Sequence, residues 1–234
     1  MSEKYWLATI KKMIAMIALI FFNVATADDH WNTLAELHAV ESRLLEAGVV
    51  CVAFDIRSEG AVKSHLKGVA RMTRPDSARI EAKGEFAGSS ADILFRTHLG
   101  RMYGQNGSHR FEKEAPTALT EGLIIGMTRM GLLHNLAMLS SGSPPDKTDG
   151  TVKQWVKPGN IRKGPAASLD GSNAETLEFT VVVDGQPSGE ATLWLDSQTG
   201  LPVKREQVVH FSQGDMNVTE SYTSISFDCD PGSL

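Results

Sequence analysis

Apolar residues along the chain change period twice. Over residues 28–46 they fall at Trp31, Leu34, Leu37, Val40, Leu44 and Leu45, mostly three or four apart. That spacing predicts an amphipathic helix stopped by Gly48. Beyond it the period is two. Val50, Val52, Phe54 and Ile56 share one face, and Ile80, Ala82, Gly84 and Phe86 alternate with Arg79, Glu81, Lys83 and Glu85, as strands with one greasy face do. Over residues 66–74 the inward set is Leu66, Gly68, Ala70, Met72 and Arg74, and Ile93 and Phe95 continue the rhythm. Residues 116–139 return to helical spacing through Leu119, Leu123, Ile124, Met127, Met130, Leu133, Leu136 and Leu139. Gly122, Gly126 and Gly131 lie inside that stretch and predict a bent helix or two short ones. Further strands are predicted at 152–156, 177–183, 190–195, 203–211 and 216–227, with an irregular Gly/Pro/Ser-rich pause over 157–174. A sheet with one greasy face needs cover. The predicted fold is therefore α+β: a curved antiparallel sheet whose greasy face is covered by an N-terminal helix and by the helical stretch over about 116–140.

The first residues follow a different logic. Lys4, Lys11 and Lys12 precede ten apolar residues, 13–22, and Ala25-Thr26-Ala27 places small residues at the −3 and −1 positions of a cleavage site. This order predicts a secretory signal peptide over 1–27, leaving 28–234 as a single soluble domain in the periplasm. The alternative, an uncleaved anchor, has ten apolar residues covering only about half of a ~30 Å hydrocarbon core. The next most apolar stretch, 122–139, is interrupted by Arg129 and His134. Removing 1–27 takes away Lys4, Lys11, Lys12 and Glu3, so the net charge moves from −5 to −7. That balance argues against nucleic acid as a partner. With 41% hydrophobic and 22% charged residues, collagen-like and disordered readings are excluded. The chain's two cysteines are Cys51, in the first predicted strand, and Cys229, at the end of the last. In an oxidising compartment they suggest a staple between first and last strands; two separate buried thiols are the other reading.

Nothing in the motifs names a reaction. His65, His98, His109, His134 and His210 are scattered without metal-ligand spacing, and neither a Gly-x-Ser-x-Gly elbow nor a phosphate-binding glycine loop is present. Glu220 alternates with Met216, Val218 and Tyr222 as an inward carboxylate, and Trp155 and Trp194 read as packing aromatics. The expectation is a protein that is not an enzyme, with no catalytic residue, no metal and no cofactor. The inner sets mix large residues with glycine and alanine. Either they leave room for an apolar guest or the covering helices fill the space.

Two segments carry a resemblance. Gly68-Val69-Ala70-Arg71-Met72-Thr73-Arg74-Pro75, followed by Arg79-Ile80, is similar to the Gly-x-x-x-x-x-Arg-Pro strand and its partner in the periplasmic lipoprotein carrier-like (LolA/LolB-like) superfamily. Leu193-Trp194-Leu195-Asp196 with Thr199-Gly200-Leu201-Pro202-Val203-Lys204 resembles a later hairpin of the same superfamily. The resemblance implies a half-open barrel with a helical lid over a hydrophobic cavity that binds acyl chains. It implies that Arg74 holds the lid by hydrogen bonds and lets go when cargo enters. The expected lid and ligand-binding residues are Arg74, Met72, Ala70, Ile80, Ala82, Phe86, Phe95, Leu123, Met127 and Met130. The function so implied is a periplasmic carrier or chaperone that reversibly binds a lipid or acylated (lipoprotein) ligand, acting as a monomer. Its other partners would be membrane-bound donor or acceptor proteins. A non-catalytic envelope scaffold or protein-interaction module is the alternative.

Overall fold

A computed structural model of the chain describes residues 29–115, 118–140, 152–169 and 171–229. The segment 1–27, read above as a signal peptide, lies outside the described residues. Helix α1 covers 29–46. Its inward stripe of Thr33, Leu37, Val40 and Leu44 is buried, while Trp31, in the first turn, is exposed. Strands β1 (Val49–Gly60), β2 (Ser64–Thr73), β3 (Ser77–Phe86), β4 (Ser89–His98), β5 (Arg101–Asn106) and β6 (His109–Glu114) follow as a meander. The lid comes next, as α2 (Leu119–Ile125), a π-helical turn at Gly126–Met130 and α3 (Leu132–Ser140). A short helix α4 (Val152–Trp155) leads into β7 (Val156–Lys163), β8 (Ala167–Leu169), β9 (Ser172–Val183), β10 (Gln186–Asp196), β11 (Pro202–Phe211) and β12 (Gly214–Ser226).

All the strands join one antiparallel sheet in the order β6-β5-β4-β3-β2-β1-β12-β11-β10-β9-β7, with β8 paired to β9. First and last strands are therefore neighbours at the middle of the sheet, and each half grows outward from that seam. A disulfide links Cys51 to Cys229 across the seam, with Cα atoms 6.2 Å apart. The staple anticipated from the two cysteines is present. Bulges between Ala53 and Phe54 and between Trp194 and Leu195 add local bend to the sheet.

The expected pause over 157–174 is corrected. Residues 152–155 form a helical turn rather than a strand, and β7 runs through Pro158 and Gly159 to Lys163. Pro158 is accommodated because β7 is an edge strand, where one side of the backbone needs no partner, and the ladder slips between Gly159 and Arg162. The lid breaks where the glycines predicted a bend. Gly131 has φ 99°, a conformation that strongly favours glycine, and its N–H bonds the Gly126 carbonyl at 2.5 Å.

Candidate functional site

One face of the sheet is covered by α1 and the lid, and their apolar side chains merge with the sheet into a single cluster. Met72, Ala70, Ile80, Ala82, Phe95, Leu123, Met127 and Met130 are all buried in it, and Phe86 packs partly buried at its margin. The structure thus brings together nine of the ten expected lid and ligand-binding residues. The small inner residues leave less room than their size implies. The Phe54 ring lies over Gly68, its tip 2.7 Å from where a Cβ would stand, and the Phe111 ring lies over Gly104. Lid side chains occupy the covered face.

Arg74 is the tenth. Inward alternation ends at Met72; Arg74 lies beyond the end of β2, exposed, in the turn before β3. Its Nη1 donates to the Leu45 carbonyl at 2.6 Å. The helix it holds is the C-terminal end of α1, not the lid. A strand that runs into a turn no longer dictates which way its next side chain points.

The lid is held by other charges. Arg129, in the π-helical turn, is buried and meets buried Glu41 of α1 in a two-pronged pair: Nε to Oε1 and Nη2 to Oε2, each 2.6 Å. Its remaining donor reaches the Val156 carbonyl at 2.8 Å and that of Lys153 at 3.2 Å. Thr128 donates its hydroxyl to the same Glu41 carboxylate at 3.0 Å. On the sheet side, Glu220 is fully buried and caps α3 from a distance. Its two oxygens accept the Leu132 and Leu133 N–H groups at 2.9 and 2.8 Å, donors that a helix cannot satisfy for itself. The Tyr222 hydroxyl lies 2.7 Å from Glu220 Oε2 and 3.1 Å from the Met127 carbonyl. Arg205, also fully buried, donates Nη2 to the Arg129 carbonyl at 2.7 Å and Nη1 to Gln207 at 2.9 Å.

Arg205 and Glu220 crowd the same spot from two strands. A Cβ on Gly131 would stand 2.8 Å from Arg205 Nη1 and 2.8 Å from Glu220 Oε1. Glycine is required there for space as well as for φ. Burial pushes the Arg205 pKa down, and neighbouring Glu220 works the other way. Burial, then Glu220, lifts the Tyr222 phenol well above its ordinary range, so it stays a neutral donor. His134, on α3, is held below its ordinary value by burial and then by Arg205. The network balances two cations against two carboxylates and ties the lid to α1, β11 and β12.

The inward carboxylate read from alternation at Glu220 is therefore real, and what it meets is the lid backbone. Arg205 escaped notice because Lys204-Arg205-Glu206 reads as a solvated charge run. Among the described residues no group of three or more His, Cys, Asp or Glu could hold a metal ion. His65 pairs with Asp55 at 3.1 Å, and His210 with Asp215 and Glu190 at 2.9 and 3.0 Å. No described helix is long and apolar enough to cross a membrane.

No family model matches the sequence, and no curated protein does. Solved structures are similar to it. LprF from Mycobacterium bovis is 14% identical with a TM-score of 0.45, over 85% of this chain and 96% of that one. A LolA superfamily protein from Nitrosomonas europaea is 10% identical with a TM-score of 0.35, over 87% and 95%. MucB in the Pseudomonas aeruginosa MucA/MucB complex is 16% identical with a TM-score of 0.39, over 81% of this chain but 56% of that one.

Proposed function

We propose that this chain is an exported carrier or chaperone that reversibly takes up a lipid or acyl chain between its sheet and its lid. In this reading residues 1–27 direct export to the periplasm and are removed, and 28–234 act as one monomeric domain. Membrane-bound proteins would supply and receive the cargo. The observation that supports it most is the way the lid is attached. A helical segment already broken at Gly126–Gly131 presents Leu123, Met127 and Met130 to the sheet's apolar face, while its polar attachments gather on Glu41, Arg205, Glu220 and Tyr222. An entering chain replaces lid contacts by equivalent apolar ones, so the exchange costs little on that side. Methionines suit such a surface because their flexible thioethers repack around different shapes. π-helical turns recur at functional sites. Burying about 20 CH2 groups supplies on the order of 16 kcal/mol before the costs of binding. Arg74 enters the proposal as a clamp on α1, the helix that carries Glu41 and so anchors the lid indirectly.

Mass spectrometry of an organic extract from the purified protein tests this reading. A co-purifying lipid or fatty acid, lost when the protein is delipidated and regained on exposure to lipid, is the expected result. A ligand-free extract combined with failure to acquire any lipid would overturn it in favour of a non-catalytic scaffold.

A further inference from the structure

The carrier reading leaves the other face of the sheet unused, and a cleft of about 610 Å³ opens there. It lies at the ends of β2–β5 and is lined in part by Arg71, Arg79, Arg96, His98 and Tyr103. Arg71, Arg79 and Arg96 alternate with buried Ala70, Met72, Ile80 and Phe95, and so face away from the lid. They are also in register. Arg71 stands opposite Arg79, Arg79 opposite Arg96, and Arg96 opposite Tyr103. Directly opposed residues have Cβ atoms about 5 Å apart, so three guanidinium groups can close on one small anion.

This row is unfavourable as it stands. Like charges placed opposite one another destabilise a sheet. Glu81 answers Arg79, with Nε to Oε1 at 2.7 Å, but no Asp or Glu lines the cleft. Arg71 Nε is buried and finds no acceptor among the described residues. A buried donor without an acceptor is costly, and the missing group must be an acceptor. The Arg96 guanidinium lies 5.4 Å from the centroid of the Tyr103 ring, a contact that limits its rotation. Planar guanidinium forks match the paired oxygens of a phosphoryl group.

We propose that this cleft binds a phosphoryl anion, either free phosphate or a phosphate-bearing headgroup. The site is independent of the lid, and its failure would leave the carrier reading untouched.

The test titrates the purified, disulfide-bonded protein with inorganic phosphate, with acetate at equal ionic strength, and with vesicles of phosphatidylglycerol or of phosphatidylcholine. Arginine Nε–H resonances provide the readout. Phosphate should shift the Arg71 Nε signal saturably, and acetate should not. Arg71→Gln and Arg96→Gln should each weaken binding at least tenfold, while Arg101→Gln, whose Nε is engaged by Glu112 at 3.0 Å, should leave it unchanged. A response to phosphate identifies a soluble anion; a response to phosphatidylglycerol vesicles alone identifies a headgroup. Arg79→Gln relieves the repulsion and should raise the melting temperature without phosphate while abolishing the rise that phosphate produces. Equal response to acetate, no response to phosphate and phosphatidylglycerol alike, or binding indifferent to Arg71→Gln and Arg96→Gln would overturn the proposal.

Discussion

On the covered face of the sheet Arg129 and Arg205 are enclosed, and each finds carboxylate or carbonyl oxygens supplied by another part of the chain. On the open face Arg71, Arg79 and Arg96 stand in a row, and Arg71 Nε has no acceptor among the described residues. Residue type is the same; the difference lies in solvation. A cation removed from water must be compensated inside the fold or the fold does not form. Exposed Arg79 and Arg96 are screened by water and counter-ions, while the buried Arg71 Nε keeps its cost until something outside the chain supplies an acceptor. The inner arginines are therefore structural fastenings; in the outer row Glu81 holds Arg79, and Arg71 keeps a donor for something that is not part of the chain.

Variants can break that contrast. The largest effect is expected for Glu41→Ala, which leaves Arg129 buried without its carboxylate. Urea unfolding should show a loss of about 3–5 kcal/mol, and the double variant Glu41→Leu/Arg129→Met should recover most of it. Recovery separates a fastening that is replaceable by apolar packing from one that is not. Cys51→Ser removes the covalent tie across the seam between β1 and β12. With the cysteines 178 positions apart in sequence, the loss should be about 2–5 kcal/mol in the same measurement. Gly131→Ala places a methyl against Arg205 and Glu220 at φ 99°. Its backbone strain alone is roughly 1–3 kcal/mol, and hydrogen exchange should quicken in α3 before it does in the sheet. Arg74→Leu removes one hydrogen bond from an exposed side chain to the end of α1, so about 1 kcal/mol or less is expected. A large change in lipid release with little change in stability would mark Arg74 as part of the cargo cycle.

Two histidines sharpen the comparison through pH. His134 is held below its ordinary value near 6.5, by burial first and Arg205 second, so it is neutral in the fold. The unfolded chain takes up that proton more readily. Stability should therefore fall as pH drops below about 6.5, until the folded group titrates as well. His210 is exposed and held above its ordinary value by Asp215 first and Glu190 second. Its contribution is present below the ordinary value and disappears as pH rises through the raised one. Unfolding curves across pH should show His134→Gln flattening the acid side and His210→Gln flattening the neutral side.

Much of this architecture was legible in the pattern of the chain. Alternation located β1 to β4 and β9 to β12, the glycines at 126 and 131 located the break in the lid, and the cysteine positions pointed to the seam. What escaped did so for physical reasons. In β7, Pro158 and Gly159 look like loop residues until an edge position excuses them. Strand β6, His-Arg-Phe-Glu-Lys-Glu, carries too few apolar residues to announce itself. Arg205 is hidden within a charged run, and its burial depends on strands far away in sequence. The arginine row exists through cross-strand register, which no single segment encodes. Arg74 shows the opposite failure: alternation extrapolated one step past the end of its strand.

The account turns on whether the lid yields its place to an oily guest. A titration of the delipidated protein with a fluorescent fatty acid, run on the unaltered chain and on Tyr222→Phe, asks this directly. Tyr222→Phe keeps the ring but removes the hydroxyl that meets Glu220 and the Met127 carbonyl. Saturable uptake, faster in Tyr222→Phe than in the unaltered protein, is the predicted outcome. Absence of uptake in both proteins, with both fully folded, would contradict it.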